Sequence, residues 1–239
     1  MSNAALPAPP RRLDEMKFHQ DILKLDAAAE TGRLVTWLRQ SVREQLHRRG
    51  AVVGISGGVD SAVVLKLCVQ AFSPRGVVAV MMPDCDSSPD SERLARVLAR
   101  ESGVEPLLEN ITAALEGLGC YARRDNAIRR VFPEYDARAG WRAKIVLPPN
   151  LLEENTLNVF LVTVLRPDGA EETRPLPATE FLQIVAASNF KQRTRMAMLY
   201  HHAELRHFAV IGTANKNERD QGFFVKHGDS GVDLSLIHI

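Results

Sequence analysis

The sequence predicts an α/β protein built on a doubly wound parallel sheet, Rossmann-like in plan, with an inserted β-hairpin region. Three observations point there. Short apolar runs of β type at 51–55, 77–82 and 208–211 alternate with apolar helical patterns. The first two runs each feed a helix, the β-α-β-α order that gives parallel crossovers. Two runs end in small polar residues, Ser56-Gly57-Gly58 and Gly212-Thr213, at the strand edge where open α/β sheets take ligands.

Residues 1–12 are small and Pro-rich and read as a disordered tail; 13–239 read as one domain. Phe18, Ile22 and Leu25, then Leu34, Val35, Leu38, Val42 and Leu46, keep helical spacing, with a break expected near Thr31-Gly32 and a stop at Gly50. A strand at 51–55 leads to a helix from Asp60 to about Ala71, and a strand at 77–82 to a helix over 89–102. That helix is expected to present Leu94, Val97 and Leu98 on one face and to stop at Gly103. Residues 104–177 read as an insertion: a helical piece at 111–117, a basic, aromatic-bearing and solvated stretch at 121–144, then a hairpin turning at Pro167-Asp168-Gly169-Ala170. The hairpin strands are expected at 158–165 and 173–176. Two helices, one from Pro177 and one over 190–205, precede the third strand.

Bulk properties narrow the function classes. The 239 residues are 45% hydrophobic and 25% charged, which suits one soluble domain with a substantial core. A formal net charge of +1 gives no reason to expect a nucleic-acid partner. There is no 18-residue apolar run and no signal-peptide pattern at the N-terminus, so neither a membrane nor a secreted protein is expected. Cys68, Cys85 and Cys120 are odd in number, widely spaced and form no C-x-x-C pair, which fits a reducing, cytoplasmic setting.

Residues 51–61, Ala-Val-Val-Gly-Ile-Ser-Gly-Gly-Val-Asp-Ser, carry the most specific chemistry. A strand, a glycine turn and a helix start make an anion site, because the first helical N–H groups lack intrahelical partners and the dipole is positive there. Gly57 and Gly58 let a phosphate approach the backbone, Ser56 and Ser61 add hydroxyls, and Asp60 can hold magnesium. The lysine of a Walker A loop is absent. The run resembles instead the S-G-G-x-D-S pyrophosphate loop of the N-type ATP pyrophosphatases, which split ATP between the α and β phosphates.

A second constellation narrows the resemblance. Asn189-Phe-Lys-Gln-Arg193-Thr-Arg195-Met196 is followed by Gly212-Thr213-Ala-Asn-Lys216-Asn-Glu218 and by Gly222-Phe-Phe-Val-Lys226-His-Gly228-Asp229-Ser-Gly231-Val-Asp233. With the opening loop, over about 34–103 and 178–234, the series resembles the NAD synthetase family, which has an adenine nucleotide alpha hydrolase-like fold. That family adenylates the carboxylate of deamido-NAD with ATP and displaces AMP with ammonia. The resemblance implies that Gly54, Ile55, Ser56, Gly57, Gly58, Val59, Asp60, Ser61 and Thr213 bind ATP. It further implies that Asp60 and Glu218 hold Mg²⁺, and that Arg193, Lys226 and Asp233 contact deamido-NAD, with Asp60 and Lys226 in the chemistry itself. Arg193 and Arg195 sit two apart on a helix and face different ways, so one is expected to be only solvated, and the resemblance picks Arg193 as the ligand. Two carboxylates sharing a cation that bridges phosphates, and a guanidinium fork on a dinucleotide, make physical sense of those roles.

The resemblance also implies a homodimer, and nitrogen supplied as free ammonia or by a separate glutaminase. The family continues beyond residue 239 with more sheet and an ATP-contacting lysine, so a chain ending here is expected to be truncated, with an incomplete ATP site and little activity. Two other readings remain: a related AMP-forming amidoligase for another carboxylate, and a nucleotide-binding module without activity.

Overall fold

A computed structural model describes residues 24–147 and 160–235. The tail at 1–12, Phe18, Ile22 and the hairpin residues 158–159 lie outside the described residues.

Five strands form one parallel sheet: β1 (Ala51–Gly54), β2 (Val77–Met81), β3 (Leu107–Leu108), β7 (Ala209–Gly212) and β8 (Leu234–Ser235), in the order β3-β2-β1-β7-β8. Ala51 registers with Val77 on one side and Ala209 on the other. The strands read as unbroken apolar runs because both faces are covered. Ala51, Val53, Ala79, Met81 and Ile211 join the core under α1 (Ala27–Gln40), α2 (Val59–Phe72) and α3 (Pro89–Glu101). The alternate residues Val52, Val80 and Val210 face α4 (Thr112–Gly117), α5 (Cys120–Val131) and α6 (Ala178–Arg206), meeting Leu115, Met196 and Leu199. Fully burying a Val or Leu in this way stabilises by about 1.5–3 kcal/mol.

β1 is the hinge of the topology. From it the chain crosses through α2 to β2 on one side, while β7 lies on the other. The carboxyl ends of β1 and β7 therefore flank the switch point of the sheet, where the loops diverge and leave a crevice.

The structure corrects the sequence reading in several places. No break occurs at Thr31-Gly32: α1 starts on the Asp26 cap, whose carboxylate accepts the N–H groups of Ala28 and Ala29, and runs through Gly32 to a π-turn at Ser41–Gln45. Gly50 is not a helix stop. A Cβ there would lie 2.3 Å from the Gly76 carbonyl oxygen and 2.8 Å from the Phe208 ring, so close packing of two strand entries selects glycine. On α3 the buried face is Ala95 and Ala99, with Leu98 partly buried, whereas Leu94 and Val97 are exposed. Small residues let that helix approach the sheet closely. The two helices expected from 177 to 205 are one 29-residue α6.

Residues 121–144 are not a solvated insert. α5 packs along α6, and Ala127, Ile128, Phe132 and Tyr135 form a satellite core with Val162, Val164, Leu176 and Ile184. This core seats a second, antiparallel sheet, β4 (Arg142–Val146), β5 (Leu161–Leu165) and β6 (Glu171–Pro175), in that order. The expected hairpin is β5–β6, with Asp168 accepting the Ala170 N–H at 3.0 Å. β4 escaped the sequence reading because its charged and exposed Arg142 and Lys144 look like loop. Arg174 covers the Phe132 ring at 4.2 Å and donates to the Val131 carbonyl at 2.7 Å, closing the seam between helix and sheet.

The three cysteines are free, Cys68 and Cys120 buried and Cys85 exposed. Burial pushes the Cys68 thiol up to about 12 and raises Cys120 as well. Because thiolate is the reactive form, a disulfide reagent such as DTNB is expected to titrate one thiol quickly, Cys85, and the other two only after unfolding.

Candidate active site

The glycine turn lies at the carboxyl end of β1. Gly57 adopts φ +82°, and a Cβ on it would come within 2.8 Å of the Ser91 carbonyl oxygen and the Leu94 side chain. Ser61, buried, donates its hydroxyl to the Gly58 carbonyl at 2.9 Å, and Ser56 Oγ accepts the Gly58 N–H at 3.3 Å. These bonds fix the turn while the start of α2 carries no side-chain cap on Gly58. An uncapped helix start at a switch point presents its free N–H groups and positive dipole end to the crevice.

Beside the turn is a cavity of about 160 Å³ that opens to solvent. Gly54 and Ile55 of the β1 end, Met82 of the β2 end and Thr213 of the β7 end line it, while Arg195 and Leu199 on α6 close it. Asp60, in the first turn of α2, is exposed, and no partner engages its carboxylate among the described residues. Val59 is exposed at the same helix start. Glu218 sits in the short α7 (Lys216–Asp220), where its Oε2 accepts the Asn215 N–H at 2.9 Å in a capping box. Asp60 and Glu218 thus follow two adjacent parallel strands at the same sheet edge. Among the described residues no group of three or more His, Cys, Asp or Glu is placed to hold a metal ion.

The remaining residues singled out from sequence spread along the same edge. Arg193 is exposed and donates from Nε to the Lys226 carbonyl at 3.2 Å. Lys226 is itself exposed. Asp233 accepts the Tyr200 hydroxyl at 3.1 Å and the Val210 N–H at 2.8 Å, tying the approach to β8 onto β7. Burial and the neighbouring Asp233 carboxylate push the Tyr200 phenol up to about 12.

A charge cluster behind the cavity was missed. Asp84, just past β2 and with its side chain only 2% exposed, accepts the Asp86 N–H at 2.9 Å and the Ser87 hydroxyl at 3.1 Å. Its other oxygen meets Lys191 Nζ at 3.1 Å and Arg195 Nη2 at 3.4 Å. Lys191 also reaches Asp86 at 2.5 Å, and Asp86 in turn pairs with Arg124. Two signals could have revealed the cluster. Met82-Pro83-Asp84 follows a strand as Gly212-Thr213 does, and Lys191 and Arg195 stand four apart on one helix face.

Burial works against ionisation of Asp86, but Lys191 and Arg124 outweigh it and hold the carboxyl below its usual range. A depressed folded value stabilises above the unfolded value of about 3.9 and ceases to as pH falls through the folded one. Asp86→Asn is therefore expected to lower the urea midpoint at pH 6 and to approach the parent as the pH falls through that depressed value, checked by denaturation over an acid pH series.

These features define a class: a doubly wound α/β protein with a cavity and a glycine turn feeding an uncapped helix start at its switch point. The profile of the NAD synthase family matches residues 30–143 and 166–238, leaving 144–165, the end of β4 and the whole of β5, unmatched. The chain is 48% identical over 219 residues to an NH(3)-dependent NAD(+) synthetase of Mesorhizobium japonicum, covering 91% of this chain and 68% of that one. An enzyme of the same description from Rhizobium meliloti is 44% identical, with 94% and 66% covered. The fold is shared with the NH3-dependent NAD synthetase of Campylobacter jejuni at a TM-score of 0.58 and 23% identity, over 88% of this chain and 66% of that one. The chain belongs to the NAD synthase family. It spans about two thirds of the length of the relatives it matches.

Proposed function

We propose that this chain carries the adenylating centre of an ammonia-dependent NAD synthetase, a ligase that amidates deamido-NAD to NAD and releases AMP and pyrophosphate. The observation that carries the reading is the fixed glycine turn feeding an uncapped helix start, beside a cavity at the β1/β7 crevice. ATP is the co-substrate. Its base and sugar fit the cavity between Ile55 and Thr213, and its phosphates fall to residues 56–61.

The deamido-NAD carboxylate attacks the α-phosphorus, forming the acyl–oxygen–phosphorus bond as the bond to the bridging oxygen of pyrophosphate breaks. No side-chain nucleophile is needed, so the protein's contribution is to hold and to neutralise. Holding two reactants in line is worth about 7–11 kcal/mol. The amides of the turn receive the charge that collects on the leaving pyrophosphate. Asp60 and Glu218 would hold a Mg²⁺ ion, since each keeps a carboxylate oxygen free. The ion supplies charge neutralisation on the phosphates when bound. Arg193, Lys226 and Asp233 contact deamido-NAD, with Lys226 as a point charge beside the reacting carboxyl. Ammonia, free or delivered by a separate glutaminase, then displaces AMP.

A homodimer, a cytoplasmic location and no nucleic-acid partner belong to this reading; three free cysteines suit a reducing compartment. No helix among the described residues is long and apolar enough to cross a membrane. One observation favours a second reading. A further cleft, of about 820 Å³, lies beyond Ser88 and is walled by Trp141 and by Arg142 and Lys144 of the second sheet, partly in the segment outside the family match. An AMP-forming amidoligase with a different carboxylate would use it. ATP–pyrophosphate exchange against a panel of carboxylates tests both. Exchange that requires deamido-NAD supports the first, exchange with another acid the second, and failure to bind ATP removes both.

A further inference from the structure

Among the described residues lining the nucleotide cavity, Arg195 is the one cation. The charged groups beside it are carboxylates already engaged: Glu92 holds Arg96 at 2.7 Å, and Asp229 accepts the Val225 N–H at 2.7 Å. A nucleotide whose base and sugar occupy this cavity therefore meets one cationic side chain in its walls, on the way from the sugar to the phosphates.

The guanidinium is aimed by what holds it. Nε donates to the Met82 carbonyl at 3.1 Å and Nη2 to Asp84 at 3.4 Å. Of five N–H donors, these contacts use two and leave the rest of the planar fork for the cavity. Asp84 is fixed in turn by the Ser87 hydroxyl, the Asp86 N–H and Lys191, one helical turn from Arg195 on α6. Asp84 is shared between Lys191 and Arg195, and Asp86 between Lys191 and Arg124, so Arg195 is the cation of this cluster that also lines the cavity.

We propose that Arg195 is a catalytic residue that contacts the phosphates of the bound nucleotide at the α-phosphoryl group, and that Asp84 and Lys191 are the positioning residues that aim it. The proposal rests on the ATP reading above and adds a residue that the family resemblance did not. A fork oriented in advance needs no reorganisation as charge moves from the attacking carboxylate to the leaving pyrophosphate.

Calorimetric titration of the 239-residue chain with adenosine, AMP and ATP tests it. The wild type is expected to bind AMP and ATP more tightly than adenosine. Arg195→Gln is expected to weaken AMP and ATP by about 10–100-fold and adenosine by less than about two-fold, the size of a lost charge-assisted contact. Arg195→Lys, which keeps the charge, recovers part of the AMP affinity. Asp84→Asn reproduces the phosphate-selective loss more weakly. Equal losses for adenosine and AMP would mean that Arg195 only supports the 82–86 segment, and an unchanged AMP preference would mean that it faces no phosphate; either overturns the proposal. A wild type that binds none of the three brings down the ATP reading itself, an outcome distinct from a wild type whose phosphate preference survives Arg195→Gln.

Discussion

Gly57→Ala is expected to abolish measurable nucleotide binding, a loss of about 100-fold or more, while the rest of the fold stays intact. The residue sits at φ +82°, where an L side chain costs about 1–3 kcal/mol, and the added methyl would press on a carbonyl oxygen at 2.8 Å that cannot swing away. Relief of that clash requires the turn to part from α3, which re-aims the amides that meet the phosphates. The neighbouring Gly58→Ala is the control: it has ordinary extended dihedrals and a Cβ there would meet only the Ser56 hydroxyl at 3.3 Å. Titration with ATP, beside thermal unfolding, separates the two. Gly57→Ala should lose binding with a melting temperature lowered by roughly 2–4 °C per kcal/mol of strain, whereas Gly58→Ala should keep its melting temperature and lose less affinity, since its methyl strains no backbone.

Asp60→Asn is expected to lower ATP–pyrophosphate exchange by about 100-fold or more without weakening ATP binding when magnesium is withheld. The carboxylate is exposed at the helix start, so the amide replacement creates no cavity and leaves no buried partner unpaired. What disappears is one anionic oxygen for the cation. The diagnostic is the metal dependence. In the parent, Mg²⁺ is expected to tighten ATP binding; in Asp60→Asn that tightening should be lost, while affinity in EDTA should stay equal or improve because a negative charge near the phosphates is gone. An Asp60→Asn protein that responds to Mg²⁺ like the parent would show that this carboxylate is no ligand.

Much of the parallel sheet was legible because strands buried on both faces read as short unbroken apolar runs, and the turn was legible because Ser56-Gly57-Gly58 ends one of them. The short β3 and β8 were not, since two-residue strands carry no period. α6 looked like two helices because its apolar stripe shifts where the helix leaves the satellite core for the main one, from Ile184 to Met196 and Leu199. β4 hid behind charged residues that face water, and α3 hid its sheet-facing side in two alanines. At the site, sequence could rank Arg193 above Arg195 only by resemblance. The structure puts Arg195 against the cavity and Arg193 on the Lys226 carbonyl, because a 100° turn per residue sends residues two apart to different sides.

The most direct test is a crystal structure of the chain with a non-hydrolysable ATP analogue and Mg²⁺. The β and γ phosphates should sit within hydrogen-bonding distance of the amides between residues 57 and 61, the base should lie between the β1 and β7 ends, and the cation should rest on the side chain at 60. A nucleotide seated elsewhere, or one whose phosphates point away from that turn, would contradict the account.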